Sequence, residues 1–186
     1  MTTEWYTQPQ YIEAARRVMG HIDLDPASCA AANLIVRASR YYTKEDNGLT
    51  QSWQSESVWL NPPYGKINGR RLTGFFISKL VEEYQAGHVE QAILLTMTDT
   101  STKWFQLIRD YPICFVNHKV HFYTTRPLKS NPTASHKYGV LFVYLGPYED
   151  RFIQEFSRFG DIWRRISADQ RACQPCLWVV GSEAVS

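Results

Sequence analysis

The chain has 186 residues, 44% of them hydrophobic and 20% charged, a composition that fits one folded domain and excludes global disorder. Its formal net charge of +2 neither requires nor excludes a nucleic-acid partner, because a local basic face can serve a nearly neutral protein. No apolar run approaches the roughly 18 residues of a membrane span, and the amino terminus lacks the pattern of a signal peptide, so we expect a cytoplasmic protein.

Helical and strand-like patterns alternate from the start of the chain. The elements predicted in its first part are a helix at residues 11–19 ended by Gly20, a strand at 21–25 ended by Pro26, a helix at 28–38, a strand at 57–60 ended by Asn-Pro-Pro-Tyr-Gly, and a basic loop at 66–71.

The second part continues this alternation and closes with two successive strands. The predicted elements are a helix at residues 74–86, a strand at 91–96, a helix at 102–110, strands at 112–116, 119–123 and 138–145, and a helix at 151–159. We therefore predict an α/β domain over residues 1–165 and a peripheral tail over residues 166–186. The alternation favours a mainly parallel sheet with helices on both faces, and the last two strands predict an antiparallel pair.

Two polar residues stand where ligands usually bind in such folds, beyond the carboxyl ends of parallel strands. Asp25 ends one predicted strand, and Asn61 follows another. Asp25 is followed by Pro26-Ala27-Ser28, a small-residue turn into a helix that would let the backbone approach a cofactor closely. A capped helix start is the alternative interpretation of that segment.

The Asn61-Pro62-Pro63-Tyr64 corner carries the groups that methylation of a base amine requires. The lone pair of adenine N6 or cytosine N4 is delocalised into the ring, so this nitrogen is a poor nucleophile. The Asn61 side-chain oxygen and the Pro62 carbonyl could accept hydrogen bonds from its two N–H groups, which would localise the lone pair on the nitrogen. Pro63 would keep the corner rigid, and the Tyr64 ring would stack on a base swung out of the duplex. A plain strand-ending turn is the alternative.

Together these motifs resemble the phage-type, Dam-like DNA N6-adenine methyltransferases. The resemblance runs through positions 4–145 and includes, in order, residues 4–9, 23–28, 47–49 with Trp53, 58–65 and 98–105. It implies a Rossmann-like methyltransferase fold, S-adenosyl-L-methionine as cofactor, double-stranded DNA with a flipped target base as substrate, and a phage- or prophage-encoded protein in a bacterial host.

The resemblance also implies roles for particular residues. Asn61, Pro62, Pro63 and Tyr64 match the catalytic turn, and the matches to cofactor-binding elements are Thr7, Pro9, Asp23, Asp25, Pro26, Ser28 and Asp46. Residues 26–30 contain no glycine, although cofactor sites of this kind usually have a glycine-rich loop after the first strand.

Basic residues in two segments are candidate DNA contacts, because a loop beside a base pocket is well placed to bind phosphates. They are Lys66, Arg70 and Arg71 after the corner, and Arg126, Lys129 and Lys137 in the long polar segment 124–137. Ordinary solvated loops are the alternative.

Other functions remain open at the level of sequence. The target could be cytosine N4, RNA or a glutamine amide, or the chain could be a non-catalytic nucleic-acid-binding module or a structural protein with a coincidental turn. No metal site is expected, because the pair Cys173 and Cys176 supplies only two of the roughly four ligands that zinc needs.

Overall fold

The computed structural model describes residues 5–124, 133–135 and 139–165. Its helices are α1 (Pro9–Met19), α2 (Ala30–Val36), α3 (Leu72–Gln85), α4 (Phe105–Ile108) and α5 (Glu149–Phe156). Its strands are β1 (Trp5–Thr7), β2 (Leu24–Asp25), β3 (Arg40–Tyr41), β4 (Ser55–Leu60), β5 (Lys66–Ile67), β6 (Arg70–Arg71), β7 (Val89–Met97), β8 (Ile113–Val116), β9 (His121–Thr124), β10 (Thr133–Ser135), β11 (Val140–Leu145) and β12 (Gly160–Trp163).

A large mixed sheet of seven strands, ordered β12-β8-β11-β7-β4-β2-β3, forms the centre of the fold. The pairings on the β3 side of β7 are parallel, and the three pairings on its other side are antiparallel. The prediction of a mainly parallel sheet is therefore wrong at the level of strand pairing. The physical reason is that two strands are reversed: β11 lies between β7 and β8 and makes both of its pairings antiparallel, and β12 pairs antiparallel with β8 at the edge.

The predicted antiparallel pair between the strands at residues 119–123 and 138–145 does not form. β9 instead pairs with β1 and β10 in a separate three-stranded sheet, while β11 pairs with β7 and β8 in the large one. All six residues of β11 are buried. A strand without a polar face needs cover on both sides, and the interior of the large sheet provides it.

Helices cover both faces of the large sheet, as predicted. Successive residues of its strands point to opposite faces and belong to two hydrophobic clusters. Ile93 and Leu95 of β7 point to the face that α1 and α5 cover. Ala92 and Leu94 point to the opposite face, which α3 and α4 cover. Among the described residues, no helix is long and apolar enough to cross a bilayer.

Candidate active site at the carboxyl edge of the sheet

Asp25 and Asn61 lie at the same edge of the large sheet. They are brought there by β2 and β4, which are parallel neighbours with Leu24 in register with Val58. Asp25 is the last residue of β2, and Asn61 directly follows the last residue of β4. This edge, where the strands of a parallel unit end, is the usual place for a ligand in such sheets.

The Asn61 side chain is oriented by the amino-terminal strand β1. Its Nδ2 donates hydrogen bonds to the Trp5 carbonyl at 3.3 Å and to the Thr7 hydroxyl at 3.4 Å. Its Oδ1 is shielded from solvent and accepts no hydrogen bond within the described part of the chain. A buried acceptor without a donor is costly and rare in folded proteins, so this oxygen is available for a donor that a ligand brings.

Two hydrogen bonds from the start of α3 fix the turn that follows Asn61. The hydroxyl of the buried Thr73 donates to the Pro63 carbonyl at 2.9 Å, and the Leu72 amide donates to the Gly65 carbonyl at 2.9 Å. Burial raises the pKa of the Tyr64 hydroxyl, which therefore stays neutral at physiological pH. The corner thus offers acceptor oxygens and an aromatic ring on a rigid support.

Asp25 is a buried carboxylate, with 3% of its surface exposed. Burial raises its pKa to about 7, and the nearby Ser28 side chain and the Ala27 amide oppose that rise. The Ala27 amide donates to its Oδ1 at 3.2 Å. None of the ion pairs in the described residues includes Asp25. A cation delivered by a ligand would therefore find a carboxyl group that no cationic side chain of residues 5–124 or 139–165 pairs with.

The turn after Asp25 is packed against a glycine from a later segment. A Cβ at Gly48 would overlap the Pro26 carbonyl oxygen, so only glycine permits this approach. The indole nitrogen of Trp53 donates to the Gly48 carbonyl at 2.7 Å and fixes the glycine in place. The turn after Asp25 is thus fixed by a close backbone contact between two separate segments of the chain.

Replacing Gly48 with alanine is expected to destabilise the protein by about 1–3 kcal/mol, because the new methyl group meets backbone rather than a movable side chain. Chemical denaturation measures this loss directly. Gly74→Ala is the matched control, since a Cβ there meets only a Trp104 ring atom at 3.5 Å and helix α3 gains propensity. Equal stability of the two variants would show that the Pro26 contact is not tight.

Other predicted cofactor residues are placed differently. Thr7 ends β1 and contacts Asn61, and Pro9 is the exposed first residue of α1. Asp23 precedes β2, and its carboxylate accepts the Glu56 amide at 3.3 Å, so the structure does not bring it to the carboxyl edge. Asp46 is exposed and accepts the Thr43 amide and hydroxyl, both at 2.8 Å, which lowers its pKa.

The predicted basic loop after the corner is a β-hairpin. β5 and β6 pair through Lys66 with Arg71, and Asn68 and Gly69 form the turn with φ angles of 50° and 78°. The exposed side chains of Lys66, Arg70 and Arg71 therefore project from a short, ordered ribbon.

The remaining predicted residues lie outside the described part of the chain: Arg126, Lys129, Lys137, Cys173 and Cys176. Within the described part, no group of His, Cys, Asp and Glu side chains could hold a metal ion.

Sequence reasoning missed three groups that build the site. The Trp5 carbonyl is a backbone group and has no sequence signal, and Thr73 is one threonine among several. Gly48 did have a signal, because it stands in an Asn-Gly dipeptide and in the 47–49 motif of the resemblance, but its contact with Pro26 had none.

Comparison with known proteins confirms the family that the motifs suggested. A DNA N-6-adenine-methyltransferase of Haemophilus phage HP1 (strain HP1c1) is 30% identical over 116 residues, which are 61% of this chain and 59% of that protein. The chain thus aligns with less than two thirds of the relative's length. No solved structure matches the chain significantly. Residues 2–159 match the family described as DNA N-6-adenine-methyltransferase (Dam), and the chain belongs to that family.

Proposed function

We propose that this protein transfers a methyl group from S-adenosylmethionine to the N6 amino group of adenine in DNA. The observation that carries the proposal is the pair of unmatched groups at one sheet edge, in a chain of the Dam family. Among the described residues, the buried Asn61 Oδ1 has no hydrogen-bond donor, and the buried carboxyl group of Asp25 on the neighbouring strand has no cationic partner.

The order of the strands supports a Rossmann-like methyltransferase fold. The strands β3, β2, β4 and β7 are parallel neighbours, and the reversed β11 separates β7 from β8, which runs in the same direction as β7. Five of the seven strands therefore end at the edge that holds Asp25 and Asn61. That edge is the location proposed for both the cofactor and the target base.

The residues at this edge fit S-adenosylmethionine, which carries an ammonium group and a sulfonium group. Asp25 would bind the positively charged part, and the residues around it that would complete the site are Pro26, Ser28, Gly48 and the segment around Asp46. The bound cofactor supplies an electrophilic methyl group on positively charged sulfur. The resemblance also predicts Thr7 and Pro9 as cofactor contacts, but we assign Thr7 to orienting Asn61, because its hydroxyl accepts a hydrogen bond from the Asn61 amide.

The target amine would be activated by the corner. Asn61 Oδ1 would accept a hydrogen bond from one N–H of the adenine N6 amine, and the Pro62 carbonyl would accept one from the other. These two hydrogen bonds would localise the lone pair on the nitrogen. The Tyr64 ring would stack on the base after it leaves the duplex, and Pro63 and Thr73 would keep these groups in place. The contribution of the protein is mainly positioning, because a correctly held amine needs neither a metal nor a covalent intermediate.

The test is transfer of labelled methyl from S-adenosylmethionine to duplex DNA, combined with calorimetry of cofactor binding. We expect both a heat of cofactor binding and label in the DNA. Cofactor binding with label in RNA or protein but not in DNA would contradict the substrate, and the absence of any cofactor heat would favour a non-catalytic binding module.

Thr7→Val is expected to lower kcat for methyl transfer about fivefold, because it removes one of the two acceptors that orient the Asn61 amide. The affinity for S-adenosylmethionine should change little, and Thr7→Ser should restore kcat because it keeps the hydroxyl. Steady-state kinetics with both substrates separate these effects. A variant with normal kcat and weakened cofactor binding would instead place Thr7 against the cofactor.

A further inference from the structure

A groove of about 310 Å³ lies between the start of α3 and α4, and we call it the basic groove. Three of its lining residues are cationic, namely Arg70, Arg71 and Lys103. Phe75 and Leu107 line it as well, and their exposed fractions are 40% and 41%. The groove therefore combines positive charge with solvent-exposed apolar surface.

The basic groove lies at the same sheet edge as the proposed active site. β4 and β7 are parallel neighbours, so the segments that follow them leave the sheet on the same side. Arg70 and Arg71 belong to the hairpin that follows β4 and the corner, and Lys103 belongs to the segment that follows β7. The groove is thus formed by the two chain segments that emerge next to Asn61.

The charge of the basic groove is not balanced by acidic side chains in the part of the chain that the structure describes. The side chains of Arg70, Arg71 and Lys103 are exposed, and none of them takes part in an ion pair within the described residues. No Asp or Glu lines the groove. Three unpaired cations around apolar surface complement a polymer that alternates anionic groups with less polar ones, as the phosphates and sugars of DNA do.

We propose that the basic groove binds the sugar-phosphate backbone of DNA beside the target base. Arg70, Arg71 and Lys103 bind phosphates, and Phe75 and Leu107 contact deoxyribose. The inference rests on the proposed function and extends it, because it adds Lys103 and the segment after β7 to the DNA-binding surface. Contacts to phosphates carry no sequence information, so the groove contributes affinity and register, not the choice of target sequence.

The test is the salt dependence of binding to a labelled DNA duplex, measured by fluorescence anisotropy for the full chain. Each phosphate contact contributes about 0.9 to the slope of log K against log salt. Lys103→Gln should reduce the slope by about 0.9 and weaken binding about 5- to 10-fold near 0.1 M salt, and the triple variant with Arg70→Gln and Arg71→Gln should reduce the slope by nearly 3.

Arg151→Gln is the matched control. Arg151 is also exposed, but it lies after the carboxyl end of the reversed strand β11 and therefore at the opposite edge of the sheet. It should bind DNA like the wild type. Phe75→Ala should weaken binding without changing the slope, because it removes an uncharged contact. All five substituted side chains are exposed, and thermal melting confirms that each variant is folded.

The outcomes separate this proposal from the function on which it rests. A wild type that methylates DNA, together with a triple variant of unchanged affinity and slope, would overturn the groove and leave the function standing. If the triple variant shows the predicted loss of slope but the wild type transfers no methyl group, the result would support the groove and contradict the proposed function. A wild type without affinity for DNA at low salt would overturn both.

Discussion

Asn61→Ala is expected to lower the single-turnover rate of methyl transfer to DNA by about 10²–10³-fold, the usual effect of removing one hydrogen bond made to the reacting group in the transition state. The variant lacks the Oδ1 acceptor, which is buried and receives no hydrogen bond from the described residues. The rate is measured with saturating cofactor and DNA, so that weakened binding cannot account for the loss.

The substitution should leave the fold and cofactor binding nearly unchanged, since within the described residues the Asn61 side chain makes only two long hydrogen bonds, to Trp5 and Thr7. Asn117→Ala is a suitable control, because that side chain is exposed and contacts only the neighbouring His118 ring among the described residues. If Asn61→Ala methylated DNA within about threefold of the wild type, the Asn61 oxygen would not act on the target amine.

Asp25→Asn is expected to weaken binding of S-adenosylmethionine about 10- to 100-fold, because the ligand loses a charge-assisted contact. The same change should stabilise the free protein at pH 8. Burial raises the pKa of Asp25 to about 7, so at pH 8 the folded protein holds a buried carboxylate anion. Asparagine has nearly the same shape and carries no charge.

The raised pKa of Asp25 predicts that the free protein becomes less stable as the pH rises. A carboxyl group whose pKa is raised by folding contributes stability that is complete below its unfolded value of 3.8 and is lost as the pH rises through about 7. The free wild type should therefore lose stability over that interval, and Asp25→Asn should lose less. Melting temperatures measured from pH 4 to pH 8 test this, with the exposed Asp161→Asn as control. Parallel curves for wild type and Asp25→Asn would contradict the burial of the charge.

Part of the site was predictable because local sequence determines it. An apolar run stopped by two prolines defines both the end of β4 and the position of Asn61, since proline cannot continue the ladder. Asp25 followed by Pro26 marks the end of β2 in the same way. Once both strands belong to one parallel unit, Asp25 and Asn61 must lie at the same edge.

Contacts between distant segments were not predictable in this way. Gly48 and Pro26 are far apart in sequence, and only the folded chain shows that the glycine packs against the Pro26 carbonyl. The three-stranded sheet that joins β1 to β9 likewise depends on pairing between the first and the last third of the described chain. This pairing places Trp5 and Thr7 against Asn61.

Two errors had signals that were interpreted incorrectly. Asn68-Gly69 is a strong hairpin signal, but the surrounding positive charge favoured a loop. The uninterrupted apolar sequence of β11 indicates a strand buried on both faces, whereas an antiparallel pair with the preceding strand was predicted from its order in the chain.

Nucleoside analysis of DNA that the wild type has methylated identifies the base atom that receives the methyl group. Duplex DNA is incubated with protein and S-adenosylmethionine, digested to nucleosides and resolved by mass spectrometry. We predict N6-methyladenine as the only methylated nucleoside, and none above background with Asn61→Ala. N4-methylcytosine, or no methylated nucleoside from a wild type that binds both cofactor and DNA, would contradict the assignment.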